Sequence, residues 1–222
     1  MRAIPAFGLL LIGVLIAVIA SLVSPLQVQA QAPSKYVEGT HYQRIEAPAK
    51  TRKGDKIVVT EVFWYGCSHC NQFQPIFEAW GKQLRDDVVI DHSPAIWNKP
   101  MIVHAHLFYT VKAFRLEDKM HREIFDAMHL DKKRLASKEQ IFPLFEKHGI
   151  SEVDFTKTFD SFGIKSQVQQ ANARARGYGI TGTPEVVVNG KYRISGRMTG
   201  SQGEMLNVAS YLIAKERREK AL

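Results

Sequence analysis

Strand-like sequence occurs in two parts of this chain, and a long region without it lies between them. Residues 57–65 are rich in β-branched and aromatic residues and contain no glycine or proline, which predicts a buried strand that ends at Gly66. Residues 88–95 predict a second strand, and strand patterns return only at residue 185. Any sheet must therefore be built from both parts of the chain, with a helical region inserted between them.

The region between the two parts predicts five helices. They cover residues 101–115, 119–130, 138–148, 152–161 and 166–176, with breaks at Asp118, Ser137, residues 149–151 and Gly163. Ser151 followed by Asp154 favours a helix start, because serine caps the first turn and an acid there interacts favourably with the helix dipole.

The segment after the first strand also predicts a helix. Four large apolar residues recur on one face of it, at offsets of four, three and four: Phe73, Phe77, Trp80 and Leu84. We interpret this face as core packing. Pro75 lies inside the pattern and predicts a kink, since proline removes one backbone donor.

The C-terminal part predicts a hairpin and a final helix. Asn189-Gly190 separates short strands at 185–188 and 191–194, and this dipeptide favours a type I′ turn because both residues tolerate positive φ. The last helix is expected at 203–218. Near the other end of the chain, the polar stretch 31–55 contains one candidate short strand, at 41–45. A strand–helix–strand unit followed by a hairpin predicts an α/β fold with a mixed sheet.

The N-terminus has the composition of a secretory signal peptide. Arg2 is the only charged residue among the first 30, residues 6–23 form an apolar run, and Val28-Gln29-Ala30 fits a cleavage site. We expect residues 1–30 to be removed, with Ala32 as a weaker site. An uncleaved membrane anchor is the alternative, because the apolar run approaches the roughly 18 residues that suggest a spanning helix.

The chain is basic, with a formal net charge of +8, and removal of Arg2 with the signal peptide would leave 8 − 1 = +7. Its lysines and arginines are scattered, and the densest runs, at 132–134 and 217–218, lie among acidic residues. We therefore expect a solvated charged surface and no nucleic-acid partner.

Both cysteines of the chain lie in one run, Cys67-Ser68-His69-Cys70. A disulfide across two residues restricts the unfolded chain little, so a redox couple explains the pair better than a structural bridge. Zinc would need further ligands that no second motif supplies, and Asn71 stands where haem attachment requires histidine. We expect neither a metal nor another cofactor.

The position of the pair assigns different roles to its members. Cys67 falls where the strand ends and the helix begins, and the unpaired N–H groups there stabilise a thiolate. Cys67 is therefore the expected attacking sulfur, and Cys70, one turn into the helix, the resolving one. His69 could place a charge or an N–H near Cys67, which favours an oxidising couple; the alternative is an exposed helix residue.

Residues 61–70, EVFWYGCSHC, resemble the active site of the DsbA family of periplasmic thiol–disulfide oxidoreductases. Gly182-Thr183-Pro184 resembles the cis-proline loop of that family, and the helical block resembles its inserted domain. The resemblance implies a thioredoxin-like fold with a mixed sheet, formed by residues 31–97 and 177–222, and an inserted all-helical domain at 98–176. Ser68 departs from the proline of well-known members, which bears on the redox potential.

The resemblance also implies roles for single residues. Cys67 would form a mixed disulfide with the substrate, and Cys70 would resolve it. Pro184, if cis, would bring the Thr183 backbone beside the cysteines to pair with a substrate strand, with Ser68 also on the substrate-binding surface. Glu61, if buried, would have a raised pKa and exchange protons with Cys70; the alternative is an edge-strand charge facing water.

The implied function is an oxidase that donates the Cys67–Cys70 disulfide to newly exported, cysteine-containing proteins in the periplasm. A quinone-linked membrane reoxidase of the DsbB type would be its partner, and the protein would be a monomer. One alternative is a reductase or isomerase, although residues 31–55 are too short for a dimerisation domain. The other is a redox-inactive holdase that binds peptides through Phe63, Trp64 and Tyr65, although a pure binder needs no such cysteine pair.

Overall fold

The computed structural model describes residues 34–48 and 54–220. The expected signal peptide and its cleavage site lie outside these ranges. Among the described residues, no helix combines the length and the apolar character that crossing a membrane requires. The elements below all belong to the contact unit that begins at Tyr36.

The described part of the chain forms five strands and eight helices. In chain order these are β1 Gln43–Arg44, β2 Ile57–Phe63, α1 Ser68–Gly81, β3 Val88–Pro94, α2 Lys99–Ala113, α3 Glu117–His129, α4 Lys138–Glu146, α5 Glu152–Phe159, α6 Phe162–Gly177, β4 Glu185–Val188, β5 Tyr192–Ser195, α7 Gly196–Thr199 and α8 Gln202–Lys220.

The five strands form one mixed sheet in the order β1-β5-β4-β2-β3. Strands β2 and β3 are parallel, and the other neighbouring pairs are antiparallel. Asn189 and Gly190 have φ angles of 52° and 65°, as a hairpin turn of this kind requires. The predicted α/β fold with a parallel pair, a hairpin and a helical insertion is confirmed.

Several boundaries differ from the prediction. Asp118 and Gly163 do not interrupt helices, because both lie in the first turn of one, α3 and α6 respectively. An acid is favourable at that end of a helix dipole. Helix α6 begins at Phe162, not at residue 166, because the Ser161 hydroxyl accepts a hydrogen bond from the Ile164 N–H at 3.3 Å.

One predicted helix cap is confirmed, and two further elements differ from the prediction. The Ser151 hydroxyl caps α5 by accepting a hydrogen bond from the Asp154 N–H at 3.1 Å, as expected. Helix α1 continues through Pro75, and the kink expected there stays a prediction. Strand β2 ends at Phe63, two residues earlier than predicted, and the short helix α7 was not predicted.

Two groups of helices cover the sheet. Phe73 and Phe77 of α1 are buried with Leu212 and Ile213 of α8, which confirms that this face of α1 packs in the core. The second core belongs mainly to helices α2–α6, and it includes three residues from the β2–α1 region, Phe63, Tyr65 and Cys70. The cysteine motif therefore joins the sheet to the inserted helices.

Candidate active site

The turn between β2 and α1 fixes the position of Cys67. The Cys67 N–H donates a hydrogen bond to the Trp64 carbonyl at 3.0 Å, and Cys67 itself occupies the N-cap of α1 with extended backbone angles. Glycine is required at position 66, because a Cβ atom there would collide with the indole ring of Trp64. A short turn thus places the Cys67 sulfur at the helix N-terminus.

The surroundings of Cys67 stabilise its thiolate. Its pKa is lowered to about 5, and the largest cause is a hydrogen bond from the Cys70 side chain. The Thr183 side chain and the backbone N–H groups of Cys70 and His69 lower the pKa further, although partial burial opposes them. Cys67 is therefore ionised at neutral pH while part of its surface remains accessible.

Cys70 has the opposite character. Its side chain is fully buried, and burial raises its pKa well above the usual value. The hydrogen bond with Cys67 and the nearby Glu61 charge act in the same direction. Both cysteines are free thiols in this structure, so the pair is in its reduced form, with one reactive and one protected sulfur.

The loop before β4 lies against the attacking sulfur. The Thr183–Pro184 peptide bond is cis, and the Cys67 thiol lies 3.3 Å from the Thr183 carbonyl oxygen, across 116 positions of sequence. The buried Glu185 side chain holds this loop in place. Its Oε1 atom accepts hydrogen bonds from the backbone N–H groups of Thr181 and Gly182 at 3.2 and 3.0 Å.

Ser68 and His69 are exposed on the surface beside the cysteines. The His69 backbone carbonyl accepts a hydrogen bond from the Gln202 side chain at 2.7 Å, which attaches the start of α1 to α8. A cavity of about 660 Å³ begins here, and its lining includes His69, Thr183 and Pro184.

Glu61 lies in the interior strand β2 and is 1% exposed, so the alternative of an edge-strand charge facing water is wrong. Burial is the main cause that raises its pKa to about 7, and the Cys67 charge adds to the rise. The His92 imidazole opposes it, since the His92 Nε2 atom lies 3.5 Å from Glu61 Oε2.

Sequence reasoning missed His92 as a neighbour of the site. His92 lies directly beside Glu61 in the parallel register of β2 and β3. Aligning the two predicted strands would have suggested the pair, but the register itself was not evident from the sequence. Phe63 and Tyr65 are 0% and 1% exposed, which corrects their suggested role in peptide binding, because core side chains offer no such surface.

These features define a thiol–disulfide oxidoreductase with a thioredoxin-like fold. The model of the DSBA-like thioredoxin domain family matches residues 95–206. Together with the curated relatives described below, this match shows that the chain belongs to the DsbA family.

Three similar proteins align with 82% to 94% of this chain. The thiol:disulfide interchange protein DsbA of Azotobacter vinelandii is 38% identical over 208 residues, which cover 94% of this chain and 97% of that protein. A crystal structure of Pseudomonas aeruginosa DsbA matches with a TM-score of 0.80 at 36% identity, covering 84% of this chain and 97% of that one. DsbA from Xylella fastidiosa matches with a TM-score of 0.78 at 26% identity, covering 82% and 98%.

Proposed function

We propose that this oxidoreductase works as a disulfide donor to newly exported, cysteine-containing proteins in the periplasm. The observation that carries the proposal is the asymmetry of the pair, with an accessible Cys67 whose pKa is about 5 and a buried Cys70. A thiolate stabilised in the reduced protein makes the reduced form favourable, and the disulfide correspondingly oxidising.

The reaction we propose has two exchanges. A substrate thiolate attacks the Cys67 sulfur, the Cys67–Cys70 bond breaks, and Cys70 leaves as a thiolate that takes up a proton. A second substrate thiolate then attacks the substrate sulfur of the mixed disulfide, which releases Cys67 as the stabilised thiolate. The substrate has lost two electrons and the protein has gained them. In the reverse direction Cys67 attacks, and Cys70 resolves the mixed disulfide.

Other residues serve this reaction in our proposal. The Thr183 backbone and Pro184 pair with an extended substrate segment, and the exposed Ser68 contributes to the same surface. Glu61 exchanges a proton with Cys70, which is supported by its burial and its electrostatic interaction with both cysteines. The His69 backbone N–H supports the Cys67 thiolate, while its exposed ring faces approaching partners.

The proposal also includes the domain organisation, the export and the reoxidation of the protein. Residues 1–30 serve as a signal peptide, residues 31–97 and 177–222 form the thioredoxin-like domain, and residues 98–176 form the helical domain. After each turnover the monomeric protein is reoxidised by a quinone-linked membrane partner of the DsbB type. The cycle requires export to an oxidising compartment, because disulfides persist there.

The reduction potential of the Cys67–Cys70 pair, measured by equilibrium with glutathione, tests the donor role. We expect a value closer to that of DsbA, about −120 mV, than to that of thioredoxin, about −270 mV. A value near the thioredoxin end would replace the donor role with that of a reductase. Ser68→Pro, compared in the same titration, would show how far this dipeptide position sets the potential.

Thr183→Val is expected to raise the pKa of Cys67 and make the disulfide less oxidising, because the Thr183 side chain helps to stabilise the thiolate. The titration of thiolate absorbance, with the alkylation rate at acidic pH, measures this change, and we expect severalfold slower alkylation. Thr181→Val is the matched control, since the Thr181 hydroxyl donates to Glu185 instead. Equal shifts in both variants would contradict a direct contact between Thr183 and the thiolate.

A further inference from the structure

Glu61 also belongs to a cluster of three side chains that can bind a metal ion. Glu61 of β2, His92 of β3 and His121 of α3 each offer one ligating atom, and these atoms all lie within 4.8 Å of one another. It is the one such cluster of three or more metal-ligating side chains within residues 34–48 and 54–220. Three separate elements of the fold thus converge on one point.

The polar atoms of this cluster lack ordinary partners. Glu61 is 1% exposed and His121 5%, yet neither oxygen of Glu61 nor the Nε2 atom of His121 has a hydrogen-bond partner among the described residues. The Oε2 atom of Glu61 forms an ion pair with the Nε2 atom of His92, at 3.5 Å. Buried polar atoms left without hydrogen bonds are costly, and a bound ion is one arrangement that satisfies all of them.

The outward nitrogen of each imidazole is already held. The Nδ1 atom of His92 lies 3.1 Å from the Glu117 carboxylate, and the Nδ1 atom of His121 lies 2.9 Å from the Tyr65 hydroxyl. These contacts leave the Nε2 atom of both rings facing the cluster. A histidine that binds a metal usually donates its other N–H to a carboxylate or another oxygen, because this fixes the orientation of the ring.

The two histidines of the cluster, but not Glu61, also line a cavity. A cavity of about 570 Å³ is lined by His92, His121 and Glu117, together with Gln74 and Arg122. It provides a route for an ion and space for a water molecule as an additional ligand. Enclosed salt-bridge clusters without an opening would not admit a metal, so the cavity is an independent argument for a binding site.

We propose that Glu61, His92 and His121 bind a first-row divalent transition metal ion, for which Zn²⁺ is the best match. Two imidazole nitrogens and one carboxylate, with a fourth position open to water, form a ligand set that Zn²⁺ commonly takes, whereas Mg²⁺ and Ca²⁺ need more oxygen ligands. Tetrahedral bonds of about 2.0–2.2 Å place ligand atoms about 3.4 Å apart. The Glu61–His92 pair, at 3.5 Å, already meets this spacing, and atoms near the 4.8 Å limit of the cluster have to move closer on binding.

Metal binding would have a consequence for the redox reaction, and this consequence rests on the proposed function. An ion on Glu61 occupies the carboxylate that we assign to proton exchange with Cys70. Turnover of the loaded protein should therefore be slower than turnover of the metal-free protein. Binding itself does not depend on that assignment, so the two claims can fail separately.

The binding test uses the oxidised full-length mature protein, because the disulfide removes both thiolates as competing ligands. Isothermal titration with Zn²⁺ should show one equivalent bound, reversed by a chelator. Titration with Co²⁺ should give the visible spectrum of nitrogen and oxygen ligation without a thiolate charge-transfer band. Absence of stoichiometric binding to the oxidised protein would overturn the proposal.

Substitutions locate the site. His121→Phe keeps a buried ring but removes the ligand atom, and Glu61→Gln removes the charge, so each should abolish stoichiometric binding. Glu117→Gln should weaken it by about 10- to 100-fold, as is typical when an outer partner of a ligating histidine is lost. Near-UV circular dichroism checks that each variant is folded, and unchanged affinity in folded His121→Phe or Glu61→Gln overturns the proposal.

The matched control is His148→Gln. His148 forms a separate histidine–carboxylate pair, with its Nε2 atom 2.7 Å from Glu123, and takes no part in the cluster. We expect unchanged affinity in this variant. If His148→Gln loses the bound ion and His121→Phe retains it, the ion binds at the surface pair and the proposed site is wrong.

Discussion

Cys67→Ala is expected to abolish the oxidation of reduced dithiol substrates, lowering the rate to that of the uncatalysed reaction. Cys67 is the accessible sulfur of the pair and the one whose pKa is lowered, to about 5. Cys70 cannot replace it, since Cys70 is fully buried and its pKa is raised well above the usual value. The measurement is the initial rate at which an equimolar amount of the oxidised protein oxidises a reduced, unfolded substrate.

Cys70→Ala serves as the matched control, because it removes the other sulfur and keeps Cys67 at the helix N-terminus, with a pKa that rises because the Cys70 hydrogen bond is lost. This variant should also fail to oxidise dithiols, but it should react with a small disulfide and accumulate a stable mixed disulfide at Cys67. Mass spectrometry detects that adduct directly. An adduct on Cys70 in the Cys67→Ala protein, or residual catalytic turnover there, would show that the two roles have been assigned in the wrong order.

The second large effect concerns stability. We expect the reduced protein to be more stable than the oxidised protein at neutral pH, because only the reduced form contains the Cys67 thiolate. The folded pKa of Cys67, about 5, lies below the value of about 8.5 for an unfolded thiol. At pH 7 the stabilisation should be about 1–3 kcal/mol, after allowing for screening by solvent at a partly exposed group.

The sign of the pH dependence follows from these two pKa values. A lowered folded pKa gives a contribution that is complete above the unfolded pKa and is lost as the pH falls through the folded pKa. The stability difference between the two redox forms should therefore shrink from pH 8.5 to pH 5, by at most about 1.4 kcal/mol per pH unit. Glu61 contributes to the difference as well, because the Cys67 charge, present only in the reduced form, raises the pKa of Glu61.

Denaturant unfolding of both redox forms across this pH range measures the effect. A difference that is independent of pH would show that the folded protein does not stabilise the thiolate. An oxidised form that is more stable than the reduced form at neutral pH would contradict the role of a strong oxidant. Cys67→Ala has neither this thiolate nor the disulfide, so it is compared with the reduced protein alone, and its stability should lack the part of the pH dependence that comes from Cys67.

Features set by local sequence could be predicted, and features set by long-range packing could not. The hairpin at Asn189-Gly190 and the cap at Ser151 follow from backbone preferences of a few residues, and both occur as expected. Asp118 and Gly163 were misread as breaks, since a residue that disfavours the middle of a helix is accepted in its first turn.

The site shows the same division. The strand–helix junction indicated the reactive environment of Cys67 from a few adjacent residues. The proximity of Thr183 came only from the family resemblance, because a contact across 116 positions leaves no local pattern. His121 gave no signal at all, since its approach to Glu61 depends on how α3 packs against the sheet.

The anchoring of the cis-proline loop by Glu185 has a consequence for the breadth of substrates. The Thr181 and Gly182 N–H groups donate hydrogen bonds to one buried carboxylate of the protein itself. The loop that we propose as the docking edge is thus held by the protein's own contacts, which lowers the cost of ordering it when a substrate binds. Such an edge would recognise the backbone of a substrate, and every polypeptide has the same backbone groups. A rigid edge of this kind suits an enzyme whose substrates all contain cysteines but have little other sequence in common.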